Sequence, residues 1–356
     1  MKVQKVQATA TQLTWLVLDD NWLPIDPITE FLRYITNTEK SPNTIRSYAN
    51  HLKLFWENLS CYTKDWQTIK ISDLSYFINW LRHEHENILS TQDDNGSNRK
   101  VASVNTILAA VSSFYRFHKQ MGNTTATFTE LTYSNGQSYK PLLHHIYKNK
   151  PRQRNLFRLK KYKDIPKTFT DEQVMMLLNA CGNARDRFLL LLLYETGLRI
   201  GQALSLMHQD IKSWDNVIHI IPRQIPHSDI RNKSSRPNVI HVSSKLIQSY
   251  SEYLEIISPE NLNEHVFVNL KNHRPLSYSA VRKLFTRLQK ATGIKAHPHM
   301  FRHTHATNLL ETGWDAALVQ KRLGHRSIQT TLDNYSHVSQ ATLKAAYKNY
   351  LSKKGE

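Results

Sequence analysis

A short segment that is both strongly basic and interrupted by prolines divides this chain of 356 residues into two parts. Lys140 to Lys167 contains ten Lys or Arg residues and one acid, Asp164, so its net charge is 10 − 1 = +9. Pro141, Pro151 and Pro166 prevent one continuous helix, because proline lacks an amide proton and restricts the residue before it. A chain of this length also exceeds what one hydrophobic core usually holds. We therefore predict two domains joined by an extended basic linker, residues 140–167.

The charge of the whole chain limits the choice of partner. Lys and Arg number 47 and Asp and Glu 29, which gives a net charge of +18, half of it on the linker. This excess favours nucleic acid, although an enzyme with a basic pocket for an acidic substrate also fits. A charge run alone is often a solvated hinge, but aromatic residues interleave these cations. We expect eight linker side chains to contact DNA phosphates: Lys148, Lys150, Arg152, Arg154, Arg158, Lys160, Lys161 and Lys163.

Other classes of protein fit the sequence less well. The longest apolar run, Phe188 to Tyr194, is far shorter than the ~20 residues of a membrane helix. The chain does not open with a secretory or transit signal. Its two cysteines, Cys61 and Cys181, cannot make a disulfide framework and lack metal-ligand spacing, so a cytoplasmic location fits.

The part before the linker is predicted to be a helical domain, residues 23–139, preceded by an N-terminal arm, residues 1–22. Within the arm, Thr14–Leu18 has the character of a short strand. Ser41 and Pro42 are typical of a helix start, with Ser as the N-cap and Pro at the first helical position. A later helix carries apolar residues at helical spacing: Val104, Ile107, Leu108, Val111, Phe114 and Tyr115.

The part after the linker, residues 168–356, is predicted to be mainly helical. Thr170 and Gln173 form a capping box that starts its first helix. Helical periodicity resumes near Ser279 and continues to an amphipathic C-terminal helix, about residues 340–351.

Two strand-like stretches interrupt these helices. Asn216–Ile221 and Asn238–Ser243 are joined by a polar, basic connection, which predicts an antiparallel hairpin with a long tip. The expected fold class is therefore mainly α, with a small antiparallel sheet in the second domain.

Four short segments of the second domain carry Arg, His or Tyr side chains in a particular order. Taken singly each is weak, because a lone His is more often structural and an Arg at a helix end is often a surface residue. The segments are Glu195 to Leu204, His299 to His303, Leu323 to His325, and Thr330 to His337.

The joint order Arg, His-x-x-Arg, Leu-Gly-His, Tyr resembles the signature of the tyrosine recombinases, or phage integrase family. The resemblance extends over nearly the whole chain, since Ser41 to Tyr48 resembles the start of that family's SAM-like core-binding domain. It implies the tyrosine recombinase fold, and the N-terminal part and the hairpin tip look most like a transposon-encoded transposase. The catalytic residues that it implies are Arg199, Lys233, His299, Arg302, His325 and Tyr335, and Lys233 is the only lysine between Lys212 and Lys245.

The chemistry implied by the resemblance is DNA cleavage and rejoining through a 3′-phosphotyrosyl intermediate. Tyr335 is the nucleophile, His299 a proton acceptor and Lys233 the proton donor to the leaving 5′-oxygen. Arg199 and Arg302, with His325, stabilise charge on the phosphate oxygens. No acidic cluster accompanies these residues, so no metal and no cofactor are expected.

One position departs from the family pattern. Gln202 stands where members commonly have Glu or Asp; its amide can accept a hydrogen bond but supplies no charge.

Three functions are compatible with the sequence. They are a transposase or integrase, a topoisomerase-IB-like nicking and resealing enzyme, and a catalytically idle DNA-binding protein. Expected partners are double-stranded DNA, further copies in a tetramer docked through the C-terminal helix, and companion recombinases.

Overall fold

The computed structural model of the protein describes residues 1–7, 13–83, 99–124, 126, 159–160, 167–223, 237–256 and 264–324. The chain divides into two compact units, residues 1–163 and 164–356. The boundary between them falls inside the stretch expected to be a linker. The C-terminal helix expected near residues 340–351 lies outside the described residues.

The first unit consists of a two-stranded hairpin and helices. The hairpin strands pair antiparallel from Lys2↔Leu18 to Gln7↔Leu13. Trp15 and Val17 are buried together with residues of the helices, so the hairpin contributes to the core of this unit. Its elements are β1 (Lys2–Gln7), β2 (Leu13–Leu18), α1 (Asp26–Asn37), α2 (Pro42–Cys61), α3 (Ile71–His83) and α4 (Val101–Gln120).

Local sequence signals account for the helices of the first unit. Ser41 is the N-cap of α2 and its side-chain oxygen accepts the Thr44 amide, with Pro42 at the first helical position, as predicted. All six residues of the apolar stripe predicted in α4 are buried. The stripe packs against α1, α2 and α3, because one helix face is apolar and the opposite face polar.

A short piece of the predicted linker packs on this unit. The Leu159 side chain is partly buried against the core. Its backbone pairs twice with the Asn105 side chain of α4, since the Leu159 amide donates to Oδ1 (2.8 Å) and Nδ2 donates to the Leu159 carbonyl (3.0 Å). The next residue, Lys160, is exposed.

The second unit is helical around a small sheet. The capping box predicted at Thr170 is present, because its hydroxyl accepts the Gln173 amide and the Gln173 side chain accepts the Thr170 amide. None of the helices that the structure describes is long and apolar enough to cross a membrane. The helices are α5 (Asp171–Asn179), α6 (Ala184–Thr196), α7 (Ile200–Leu204), α8 (Ser244–Ile256), α9 (Tyr278–Thr292), α10 (Pro298–Glu311) and α11 (Ala316–Leu323).

The sheet of the second unit contains the predicted hairpin. Strands β4 (Val217–Ile220) and β5 (Asn238–His241) pair antiparallel, from Val217↔His241 to Ile220↔Asn238. A third strand, β3 (Ile211–Lys212), pairs with β4 and is too short to be recognised from alternation. The prediction of a mainly α fold with a small antiparallel sheet is confirmed.

Helix α6 lies at the centre of the second unit. Its middle part, residues 188–193, is continuously apolar, and the helix packs against α5, α7, α8 and α10. Its core residues Phe188, Leu189, Leu190, Leu192 and Leu193 are at most 1% exposed. Each such side chain stabilises the fold by about 1.5–3 kcal/mol. The position of the C-terminal end of α6 is therefore fixed by the core.

We predict that Asn105→Ala makes the Leu159 amide exchange its proton with solvent faster. The variant removes the acceptor of that amide and the donor to its carbonyl, and a lost hydrogen bond of this kind costs about 1 kcal/mol. Hydrogen exchange read by mass spectrometry or NMR is the measurement. Thr106→Ala, an exposed position on the same helix, is the control. Unchanged exchange at Leu159 in Asn105→Ala would contradict the docking of Leu159 on α4.

Candidate functional site: a buried arginine joining three helix ends

The turn after α6 positions the first predicted catalytic arginine. Helix α6 ends at Gly197, which has the left-handed backbone φ of 61° that favours glycine. Two residues later Arg199 is the N-cap of α7, with extended backbone. Gly197 thus ends the apolar helix, and Arg199 opens the next one.

A second constraint also requires glycine at position 197. A Cβ atom built there would lie 2.8 Å from Cδ2 of His305 and 2.8 Å from Cδ2 of Leu323. His305 belongs to α10 and Leu323 is the last residue of α11. The ends of α6 and α11 therefore meet α10 in a contact too close for any side chain at position 197.

Arg302 links the same elements through hydrogen bonds. It lies on α10, is 4% exposed, and its Nη1 donates to the Gly197 carbonyl (2.7 Å). Its Nη2 donates to the Leu323 carbonyl (2.8 Å). These bonds join the turn before Arg199 to the residue two positions before His325. One guanidinium thus connects the two chain segments that carry other predicted catalytic residues.

Gln202, the departure from the family pattern, is buried and orients Arg199. Its Oε1 atom accepts the Arg199 backbone amide (3.0 Å), which ties the start of α7 to its own first turn. The prediction that the Gln202 amide accepts a hydrogen bond is therefore confirmed, with the Arg199 backbone amide as the donor.

The N-terminal end of α10 gathers histidines beside Arg302. His299 is exposed, three residues before the buried Arg302, so the two residues differ in their access to solvent. The rings of His297 and His299 lie 6.5 Å apart. Burial lowers the pKa of His303, and the charges of His299 and Arg302 lower it further. Burial also lowers the pKa of His297. The positive end of a helix dipole favours an anion, as do these side chains when they donate hydrogen bonds.

Arg322, on the last turn of α11, was not singled out from the sequence. Its Nε donates to Nε2 of His305 (3.0 Å), and its Nη2 donates to the Glu195 carbonyl at the end of α6 (3.2 Å). Both Nη atoms also donate to the His241 carbonyl at the end of β5. The only sequence signal was its place directly before Leu323, and a cation in the last turn of a helix is ordinarily a surface residue.

His305 is held in its neutral form. Burial lowers the pKa of its imidazole to about 3, and the Arg322 cation lowers it too. A neutral ring is required here, because Nε2 accepts a hydrogen bond from Arg322 and a protonated nitrogen could not.

The structure describes three of the six predicted catalytic residues: Arg199 at the start of α7, and His299 and Arg302 in the first two turns of α10, where Arg302 contacts the turn before Arg199. The other three lie outside the described residues: Lys233, His325 and Tyr335. Of the eight predicted DNA contacts, only Lys160 is described. The remaining seven lie outside: Lys148, Lys150, Arg152, Arg154, Arg158, Lys161 and Lys163.

Comparison with known proteins identifies what the chain resembles. The phage integrase family matches residues 167–342, and the phage integrase N-terminal SAM-like domain matches residues 28–122. Transposase A from transposon Tn554 of Staphylococcus aureus is 38% identical over 99% of both chains. Tyrosine recombinase XerC of Staphylococcus aureus is 27% identical over 87% of this chain and 90% of its own. The integrase of transposon Tn1549, solved with a circular-intermediate DNA, has a TM-score of 0.64 at 15% identity, covering 91% of this chain and 99% of its own.

We predict that Gly197→Ala destabilises the protein more than Gly293→Ala. Both glycines end a helix with positive φ, but a Cβ at position 293 meets nothing within 4 Å. The backbone strain of about 1–2 kcal/mol is common to both variants. Overpacking against His305 and Leu323 adds about 1–3 kcal/mol in Gly197→Ala. Denaturant unfolding measures both free energies, and equal losses would contradict the close contact.

We predict that part of the acid sensitivity of the fold comes from His305. Its pKa is lower in the folded protein, about 3, than its unfolded value of 6.5. The unfolded chain therefore binds the extra proton between these values. The stabilisation is complete above pH 6.5 and is lost as pH falls toward 3, by up to about 1.4 kcal/mol per pH unit.

The matched variant is His305→Gln, which keeps an acceptor for Arg322 but does not titrate. Its free energy of unfolding is expected to fall less steeply than that of the wild type between pH 6 and pH 4. Parallel pH profiles for the two proteins would show that His305 is not the group responsible.

Proposed function

The chain belongs to the phage integrase family and is a tyrosine-type site-specific recombinase, and from this premise we propose that it cuts and rejoins the DNA ends of a mobile element. The observation that carries the proposal is the placement of Arg302. It joins the turn that presents Arg199 to the end of α11, from which the chain continues to His325 and Tyr335. The full-length similarity to a transposase supports the action on a mobile element.

Arg199 and Arg302 are proposed to hold the scissile phosphate. A guanidinium presents its N–H donors in a fixed plane, and the carbonyls of Gly197 and Leu323 orient that of Arg302. Together with Arg199, the oriented group is proposed to stabilise the negative charge that grows on the non-bridging oxygens. Because Arg302 is buried, water screens the attraction between its guanidinium and the phosphate less than it would at the surface.

The reaction is a transesterification in which atoms balance without a metal or a nucleotide. The Tyr335 oxygen forms a bond to phosphorus while the bond to the 5′-oxygen breaks. A phenol with a pKa of ~10 is mostly protonated at neutral pH, so its proton must pass to an acceptor, the role proposed for the exposed His299. The leaving 5′-oxygen takes a proton, the role proposed for Lys233, and His325 adds a hydrogen bond to the phosphate.

Holding the DNA is proposed to be the work of the linker cations and the helical first unit. Contacts from many Lys and Arg residues to phosphates give affinity that falls steeply with salt. The same proposal has three further parts. The protein assembles as a tetramer on DNA through its C-terminal helix. It is cytoplasmic and associated with the nucleoid, and it works with companion recombinases.

The experiment uses a duplex of the element's own end that carries a nick beside the cleavage position. Because the nicked fragment diffuses away, wild type is expected to accumulate a covalent adduct that survives denaturant. Tyr335→Phe, which lacks the attacking oxygen, is expected to bind the same DNA without forming an adduct. An adduct in Tyr335→Phe, or none in wild type, would refute the catalytic assignment.

The same assay separates the alternative functions. Joints between two different duplexes identify strand exchange. Relaxation of supercoiled DNA without joints indicates a topoisomerase-like enzyme, and binding without either product indicates an idle DNA-binding protein.

A further inference from the structure

The guanidinium of Arg322 connects three separate elements of the second unit. It contacts His305 on α10, the Glu195 carbonyl at the end of α6 and the His241 carbonyl at the end of β5. The planar fork of an arginine suits this arrangement, because its donors point in fixed directions toward separate acceptors. Arg322 therefore fixes the end of α11 against two neighbouring element ends.

The acceptors of Arg322 are all neutral. They are two backbone carbonyls and an imidazole, and within the part of the chain that the structure describes, no carboxylate lies within 4.0 Å of this guanidinium. The nearby Glu195 carboxylate accepts hydrogen bonds from the Ser243 amide and hydroxyl instead. Burial lowers the pKa of Arg322 and the Glu195 charge raises it, but the two side chains form no salt bridge, so a surface ion pair does not explain the position of Arg322.

Leu323, the residue after Arg322, links the contacts of Arg322 to Arg302. The Leu323 carbonyl accepts a hydrogen bond from Arg302, and the Leu323 side chain closes on Gly197. On the outer side, Nδ2 of Asn238 donates to the Arg322 carbonyl (3.2 Å). A shift at the end of α11 therefore moves one of the two carbonyls that orient the guanidinium of Arg302.

We propose that Arg322, held by His305, is a positioning residue for DNA strand cleavage. It keeps the Leu323 carbonyl where that carbonyl orients Arg302 toward the scissile phosphate, and it does not itself touch the substrate. This inference rests on the proposed function.

His305 provides the acceptor that orients Arg322. Its Nε2 accepts the Arg322 Nε–H (3.0 Å), so the ring must be neutral at that nitrogen. The ring also lies against the turn at Gly197, since a Cβ built at position 197 would be 2.8 Å from its Cδ2. The contact between His305 and Arg322 therefore lies beside the end of α6.

The test compares Arg322→Gln with Arg322→Lys and Lys321→Gln. Lys321 is the exposed neighbour on the same helix, so its variant removes one positive charge without touching the contacts of Arg322. Two quantities are measured for each protein: the dissociation constant for the intact DNA end, and the single-turnover rate of adduct formation on the nicked end.

Arg322→Gln is expected to form the adduct about 100-fold more slowly, because small displacements of a positioned group have effects of this size. Its affinity for intact DNA should match that of Lys321→Gln. Arg322→Lys is expected to be slow as well, since an ammonium cannot reproduce the fork. Wild-type rates in Arg322→Gln, full recovery in Arg322→Lys, or a loss confined to affinity would overturn the proposal.

A measurement without DNA keeps the inference separate from the proposed function. The Gly324 amide donates to backbone carbonyls of the last turn of α11, so its hydrogen exchange reports the order of that turn. Exchange is expected to be faster in Arg322→Gln and unchanged in Lys321→Gln. Equal protection in both variants would overturn the positioning role, whatever the cleavage assay gives. Absence of an adduct from wild type refutes the proposed function alone.

If Arg322→Gln does not fold, His305→Leu tests the same contact from its other side. It keeps an apolar side chain next to Gly197 but removes the acceptor of the Arg322 Nε–H. Slow cleavage is expected in His305→Leu, and nearly wild-type cleavage in His305→Gln, which restores an acceptor. Equal rates in these two variants would overturn the proposal.

Discussion

Arg302 donates one hydrogen bond to the Gly197 carbonyl and another to the Leu323 carbonyl, and the arrangement of the candidate site depends on these two bonds. They connect residues 105 and 21 positions away along the chain. A buried guanidinium is tolerated only when its donors are used, and helix ends offer carbonyls that the helix itself does not use. The site is thus built where the C-terminal ends of α6 and α11 meet α10.

The other end of α6 is fixed by a different kind of interaction. Asp186, in its first turn, is 1% exposed, and its Oδ1 accepts hydrogen bonds from both Nε and Nη2 of Arg185. Arg287 of α9 lies 3.3 Å from the second carboxylate oxygen. At its N-terminal end the helix therefore has a buried carboxylate with cationic partners, whereas at its C-terminal end Arg302 and Arg322 donate to backbone carbonyls and Arg322 also donates to the His305 imidazole.

Signals that act over a few residues could be read from the sequence, and contacts between distant residues could not. The N-cap at Ser41, the capping box at Thr170, the stripe of α4 and the hairpin strands all depend on near neighbours, and all are present. The order of Arg, His and Tyr residues indicated the family. The docking of Leu159 on Asn105 and the contacts of Arg322 join residues that are far apart in the sequence. An asparagine or an arginine in a helix does not by itself indicate such a contact. A two-residue strand such as β3 has no periodicity to detect.

The wide sequence separation of the Arg302 contacts has a consequence for the order of events during synthesis. Domains commonly fold as the chain leaves the ribosome, the N-terminal one first. The helical first unit is complete in sequence long before Leu323 has been added, and until then Arg302 lacks one of its two carbonyl partners. A nascent chain can therefore fold its first unit while the candidate site is still unassembled. The arrangement around Arg302 is completed only after Leu323 has been added to the chain.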